Sequence, residues 1–313
     1  APLQVTLSSR KATPTAGEAA FYPQVGAPSQ ATLALTLPAD GAWVDFFVGG
    51  KWESPSTDRD DCMIDVRRAN GVDSFSCMVR LRKNANKLSS RERDRFLAAL
   101  SRMNDSGVYQ SFRNVHVLPA DDQEHGGPYF LPWHRAYLLD FERELQAIDP
   151  EVTLPYWKFD EPAPNVFSAD FMGQTKRLTS FNATPPKVTF TNGHPLTRCV
   201  VDSLAGVWRG ATFNPLTEPA KGPPPFPSQF PVLTEAKTLA LGRVFSSFRD
   251  IERMPHGAAH VSFIGPINNP PTAPRDPLFF MLHCNVDRLW ALWQWLERHR
   301  LASDSDAYEE IPG

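Results

Sequence analysis

Residues 276–290 read Asp276-Pro277-Leu278-Phe279-Phe280-Met281-Leu282-His283-Cys284-Asn285-Val286-Asp287-Arg288-Leu289-Trp290, and this stretch decides the fold.

 Phe279, Leu282, Val286, Leu289, Trp290, Trp293 and Leu296 recur at three- and four-residue spacing, which predicts a long helix over 276–299 with a broad buried stripe. His283 lies within that stripe. Upstream, His256 and His260 stand four residues apart in a helical context over 256–263, so both rings project from one face, one turn apart. If the two helices are antiparallel neighbours, His283 reaches the same point.

A second histidine triplet echoes the first. His116 falls on a helix expected over 107–118, beside Tyr109, Phe112 and Val115, and His134 falls in the first turn of a helix over 132–148. Pro132 suits that turn, where its missing N–H costs nothing. His125 sits between them in His125-Gly126-Gly127-Pro128. An earlier helix opens at Ser89, whose pairing with Glu92 three residues on is a capping-box pattern. These elements read as a mainly α fold, a four-helix bundle with inward-facing ligands, which is an arrangement that holds two metals. The other two histidines take ordinary roles: His194 lies in a loop before Pro195, and His299 stands among Arg298 and Arg300 at a helix end. The residues between His256 and His260 include no glutamate, which excludes the HExxH metalloprotease reading. Hydrolytic dizinc and diiron sites use carboxylate ligands, whereas neutral imidazole suits copper, which stands highest in the divalent affinity order. The donor set therefore favours dicopper oxygen chemistry.

Composition agrees with a globular chain. The 313 residues are 42% hydrophobic and 21% charged, with a net charge of −3, so no basic field recruits nucleic acid or anionic lipid. No apolar run approaches the ~20 residues of a membrane-spanning helix. Proline is abundant, 30 in all, and its dense run from Pro215 to Pro231 lies in a long loop-rich stretch over 161–238. Cys62, Cys77, Cys199 and Cys284 are too few for a disulfide scaffold and lack CxxC spacing. Residues 1–87 contain no histidine and read as a β-rich, sandwich-like segment, with strands expected over 4–7, 31–37, 43–48, 63–67 and 75–81. Asn70-Gly71 predicts a type I′ hairpin that brings Cys62 and Cys77 near facing positions, as buried thiols or a disulfide. The helical domain then covers 88–313. The start at Ala1 without an initiator Met is read as a processed or secreted form, with a cytoplasmic address left open.

Several motifs resemble one known family, the type-3 copper proteins, which comprise tyrosinases, catechol oxidases and haemocyanins. His125-Gly-Gly-Pro-Tyr-Phe-Leu-Pro-Trp-His134-Arg135 resembles the family's first copper-site motif, and Leu154-Pro-Tyr-Trp157 with Asp160 its next one. Glu252-Arg-Met-Pro-His256-Gly-Ala-Ala-His260 resembles the second copper site, and the stretch from Pro271 to Trp290 the closing segment. The resemblance covers about residues 89–300. It implies two copper ions, one on His116, His125 and His134 and the other on His256, His260 and His283, with dioxygen as co-substrate and small phenols as substrates. It also implies that Asp287 orients a ligand imidazole. Glu252 matches a glutamate that, with an asparagine, holds a water to deprotonate a phenol of pKa ~10. Gly257 occupies the asparagine position and has no amide, while Val261 and Pro270 stand where the family shapes its pocket entrance. No cysteine lies between His116 and His125, so the cysteine–histidine thioether of many members is absent.

The resemblance implies a tyrosinase-like polyphenol oxidase that turns o-diphenols into o-quinones, with ortho-hydroxylation of monophenols as a further activity. The competing expectation is a haemocyanin-like oxygen carrier. In that reading a shielding element covers the copper. Only 13 residues follow Arg300, so the β-rich segment, with Phe21-Tyr22 as a plug, is the expected shield.

Overall fold

The computed structural model describes residues 1–24, 26–117, 125–180, 183–198, 200–201, 204–222 and 232–297. Cys199, His299 and most of the proline run from Pro215 to Pro231 lie outside the described residues. The chain divides into two compact units: Ala1–Arg82 with Asp149–Thr153, and Lys83–Ile148 with the described residues from Leu154 onward.

The first unit is built on strands β1 (Leu3–Lys11), β2 (Ala19–Tyr22), β3 (Thr32–Leu37), β4 (Phe47–Gly50), β5 (Cys62–Arg68) and β6 (Gly71–Cys77). A four-stranded antiparallel sheet runs in the order β3-β1-β5-β6, and β2 pairs with β4. Leu7, Phe21 and Leu33 form its core, with Leu35, Ile64 and Val66 packed against them. Phe21 is therefore buried in this unit's own interior. Strand β2 has no polar alternation to announce it, and the strand expected over 43–48 starts only at Phe47, leaving Trp43 in solvent.

The β5–β6 hairpin forms, but its loop is Ala69-Asn70, with Arg68 paired to Gly71. Asp60 is the one described non-glycine residue with positive φ, so this loop is not the type I′ turn that Asn70-Gly71 predicts. Buried Asp65 explains the register. Its carboxylate accepts from Ser74 across the strand pair at 2.6 Å and from Arg10 at 3.1 Å, contacts that a shifted pairing loses. Cys62 and Cys77 are direct partners in this register, and both are free thiols. Burial pushes the Cys77 thiol up to about 12.

The second unit is mainly helical. Helix α1 (Ser90–Asp105) begins with the expected capping box: Ser89 Oγ accepts from the Glu92 N–H, and Glu92 accepts from the Ser89 N–H at 2.9 Å. Its buried residues Phe96, Leu97, Leu100 and Met103 follow helical spacing. Helices α2 (Val108–Val117) and α3 (Phe130–Ile148) come next, and α7 (Leu278–Glu297) closes the core after the short elements named below. Between α3 and α7 an aromatic cluster excludes water. Phe141 stacks on Phe280 at 3.7 Å, and Tyr109 of α2 meets both rings edge-on. The Tyr109 hydroxyl donates to the Pro274 carbonyl at 2.7 Å, tying α2 to the approach into α7.

The stretch between the long helices is more broken than its spacing predicts. Two-residue strands β7 (Lys176–Arg177), β8 (Val200–Val201), β9 (Leu204–Ala205) and β10 (Gly210–Ala211) stand in otherwise irregular chain. The helix expected over 236–252 splits into α4 (Glu235–Leu239), α5 (Phe245–Phe248) and a tight turn over Arg249–Glu252. Gly242 lies in the gap. Its carbonyl accepts from the Trp293 indole at 2.7 Å, and an added Cβ would stand 2.3 Å from the Ser247 Cβ. The helix expected over 256–263 reduces to α6 (Ala258–Val261), followed by β11 (Phe263–Ile264), which pairs with β10. The helical path breaks before it at Met254, with φ −140° and ψ 118°, because the residue before a proline is driven out of the helical region.

Candidate metal centre

Each half of the centre is assembled by backbone as much as by side chains. In the first turn of α3 the His134 Nδ1–H donates to the Phe130 carbonyl at 2.9 Å. The His256 Nδ1–H donates to the Glu252 carbonyl at 2.7 Å, and the His260 Nδ1–H to the Ile267 carbonyl at 2.6 Å. A carbonyl can only accept, so each bond places the ring proton on Nδ1 and leaves the Nε2 lone pair exposed. His283 Nε2, from α7, lies 3.2 Å from His256 Nε2 and 3.1 Å from His260 Nε2. Three Nε2 atoms, two of them bare lone pairs, thus converge on one point, the arrangement a single cation needs.

The other triplet, His116, His125 and His134, likewise brings its ligand atoms within 4.8 Å of one another. Among the described residues, neither nitrogen of the His116 ring closes a hydrogen bond and the buried His134 Nε2 is also unpartnered. An unsatisfied buried polar atom costs ~1–3 kcal/mol, so these orphans mark the site as one built for an added group. The triplets adjoin: the His134 ring stacks on the His283 ring at 4.2 Å, and the Phe130 ring lies 4.7 Å from both His134 and His256. Both groups consist of imidazole alone. That donor set fits copper and lacks the oxygen ligands that hard cations need.

Burial holds all six rings neutral, as a ligand must be. It pushes His116 down to about 3 and His260 to about 4, lowers His125, and drives His134, His256 and His283 well below the ordinary histidine value. A charge on any one ring would also be opposed by its neighbours. The sign of the pH dependence follows. Unfolded histidine titrates near ~6.5, so below that pH the unfolded chain binds more protons than the folded one, and stability falls as pH falls. The metal-free protein is expected to lose melting temperature progressively between pH ~6.5 and ~4. A melting temperature that stays level through that range in calorimetry would contradict the buried, neutral triplets.

A cavity of about 180 Å³ opens beside the rings, lined by five of the six histidines together with Gly257, Val261, Pro270 and Phe279. A wider cleft of about 510 Å³ shares His125, His256, Gly257 and Pro270, and adds Glu252, Arg249 and Arg253. Gly257, Val261 and Pro270 thus line the cavity beside the histidine rings. An added Cβ on Gly257 would lie 3.3 Å from the Glu252 carbonyl oxygen. Glu252 reaches the cleft, where burial pushes its carboxyl up and its Oε1 accepts from the Gly126 N–H at 2.6 Å. The Asp287 carboxylate accepts from Arg135 at 2.5 Å, and His283 Nδ1 has no hydrogen-bond partner among the described residues. Arg135 in turn lies 3.6 Å over the Trp290 ring, joining α3 to α7.

Phe279 is the residue whose part at the centre the sequence reading misses. Its ring lies 4.9 Å from His116 and 4.2 Å from His283, walling one ring of each triplet. The signal was available in its position, one helical turn before His283. His194 stands apart from the centre: its Nδ1 accepts from the Leu196 N–H at 3.2 Å, and its ring stacks on Phe190.

A mainly helical unit that sets two buried all-histidine triplets side by side defines a type-3 dicopper protein. The common central domain of tyrosinase matches residues 106–296. A tyrosinase of Streptomyces glaucescens is 32% identical over 231 residues, covering 68% of this chain and 82% of that protein. Grixazone synthase of Streptomyces griseus is 31% identical over 268 residues, covering 69% and 85%. Among solved structures, deoxygenated hemocyanin from Rapana thomasiana superposes with a TM-score of 0.50 at 24% identity, over 74% of this chain and 58% of that one, which is a likeness of fold. The chain belongs to the tyrosinase family, whose members hold two copper ions, and its two histidine triplets are able to hold them.

Proposed function

We propose that the protein is a polyphenol oxidase that converts o-diphenols to o-quinones with dioxygen. The observation that supports this most is the cavity beside the triplets. It is large enough for one aromatic ring, and it shares four lining residues with the wider cleft. Two bound copper ions would supply dioxygen binding and electron transfer, so that two diphenols lose four electrons and four protons while one O₂ becomes two waters. The chain's part is to hold the six imidazoles neutral and convergent, to keep water from the floor of the cavity with Phe279 and Ile267, and to admit the ring past Gly257, Val261 and Pro270.

Monophenol hydroxylation is the weaker activity in this reading. Gly257 offers no amide to fix a water, and the Glu252 carboxylate is engaged by the Gly126 N–H. The copper-loaded protein is expected to consume one O₂ per two catechols in an oxygen electrode, and to act more slowly on the matching monophenol. Reversible oxygen binding without consumption of catechol would replace this reading with an oxygen carrier.

A further inference from the structure

Glu252 touches both halves of the centre. Its backbone carbonyl accepts the His256 Nδ1–H at 2.7 Å, and its side-chain Oε1 accepts the Gly126 N–H at 2.6 Å. Gly126 is the residue after His125, so the second bond fixes the peptide that carries a ligand of the other triplet. Gly126 has φ +77°, a backbone conformation that favours glycine and here turns the N–H toward the carboxylate. His125 lies outside the helices that carry His116 and His134, and its ring makes edge-on or tilted contacts at 5.3 to 6.3 Å with His116, His134 and Phe130.

We propose that Glu252 is a positioning residue that clamps the His125 loop onto the segment bearing His256, fixing the distance between a ligand of each copper. The clamp requires an acceptor oxygen and not a charge or a proton-transferring carboxylate. It also holds whether or not the protein oxidises phenols, because it rests on the metal centre alone.

The test compares Glu252→Gln with Glu252→Ala in the full chain. Copper per chain is measured after dialysis against graded chelator, with the melting temperature of the metal-free form alongside. Glutamine keeps an acceptor oxygen at the same reach, so E252Q is expected to retain two coppers with affinity within about 3-fold of the parent. E252A is expected to lose affinity for one copper by ~10–100-fold, the usual cost of removing a group that orients a metal ligand. Equal copper retention in both variants would overturn the clamp, as would equal loss in both. Oxygen uptake on catechol is a separate readout, so failure of the oxidase reading leaves these outcomes distinguishable.

Discussion

Replacing His283 with alanine is expected to lower bound copper from two per chain to one or fewer, and to reduce catechol-dependent oxygen uptake by more than ~100-fold. No other ring is as central. Its Nε2 stands within 3.2 Å of both other nitrogens of its triplet, and its ring stacks on His134 of the opposite one. Truncation therefore removes one ligand and releases the packing of a second, on the far side of the centre. The fold should persist, because α7 remains buried along most of its length through Phe279, Phe280, Met281 and Trp290. His194→Ala serves as the control. That ring is also buried, but its nitrogen is used by the Leu196 N–H, so copper content should not change. Metal analysis with circular dichroism decides the matter. Two coppers retained by the His283 variant would remove the ligand assignment.

The second large effect lies away from the copper ligands. Arg209 and Asp276 form an ion pair with side-chain exposures of 0% and 1%. The guanidinium donates to both carboxylate oxygens at 3.0 and 3.1 Å, to Thr175 at 3.0 Å and to the Met172 carbonyl. Asp276 Oδ1 also accepts the Leu278 N–H at 3.0 Å, capping the first turn of α7 and so setting the helix that carries His283. Burial pushes the Asp276 carboxyl up and the Arg209 guanidinium down, against their mutual attraction. Arg209→Met strands the carboxylate. The expected cost is ~3–5 kcal/mol, or ~6–20 °C in melting temperature for a unit of this size. Arg209→Met combined with Asp276→Leu should recover much of that loss, since the uncompensated charge is gone. A shift below about 2 °C in the single variant, measured by calorimetry, would show that the pair does not hold α7 in place.

Much of the centre was legible because its ligands obey local rules. The four-residue spacing of His256 and His260, the stripe around His283 and the capping box at Ser89 are written in a single helical period, and the structure keeps all three. What the sequence concealed depends on contacts between distant residues. The Asp65–Ser74 pair sets the β5–β6 register against the pull of Asn70-Gly71. Contact between Trp293 and Gly242 accompanies the gap between α4 and α5, where helix propensity alone predicts continuity. The bond between Arg135 and Asp287, which joins α3 to α7, is likewise one that no spacing reveals. The carbonyls of Phe130, Glu252 and Ile267 belong to every peptide alike, and only the folded path selects them.

That last feature shapes how the protein can change over generations. An anchor made of main-chain oxygen cannot be deleted by exchanging one amino acid for another, so His134, His256 and His260 keep their tautomers through wide drift in the neighbouring residue identities. The vulnerable events are those that reroute the chain itself: an inserted residue, a deletion or a new proline near positions 130, 252 or 267.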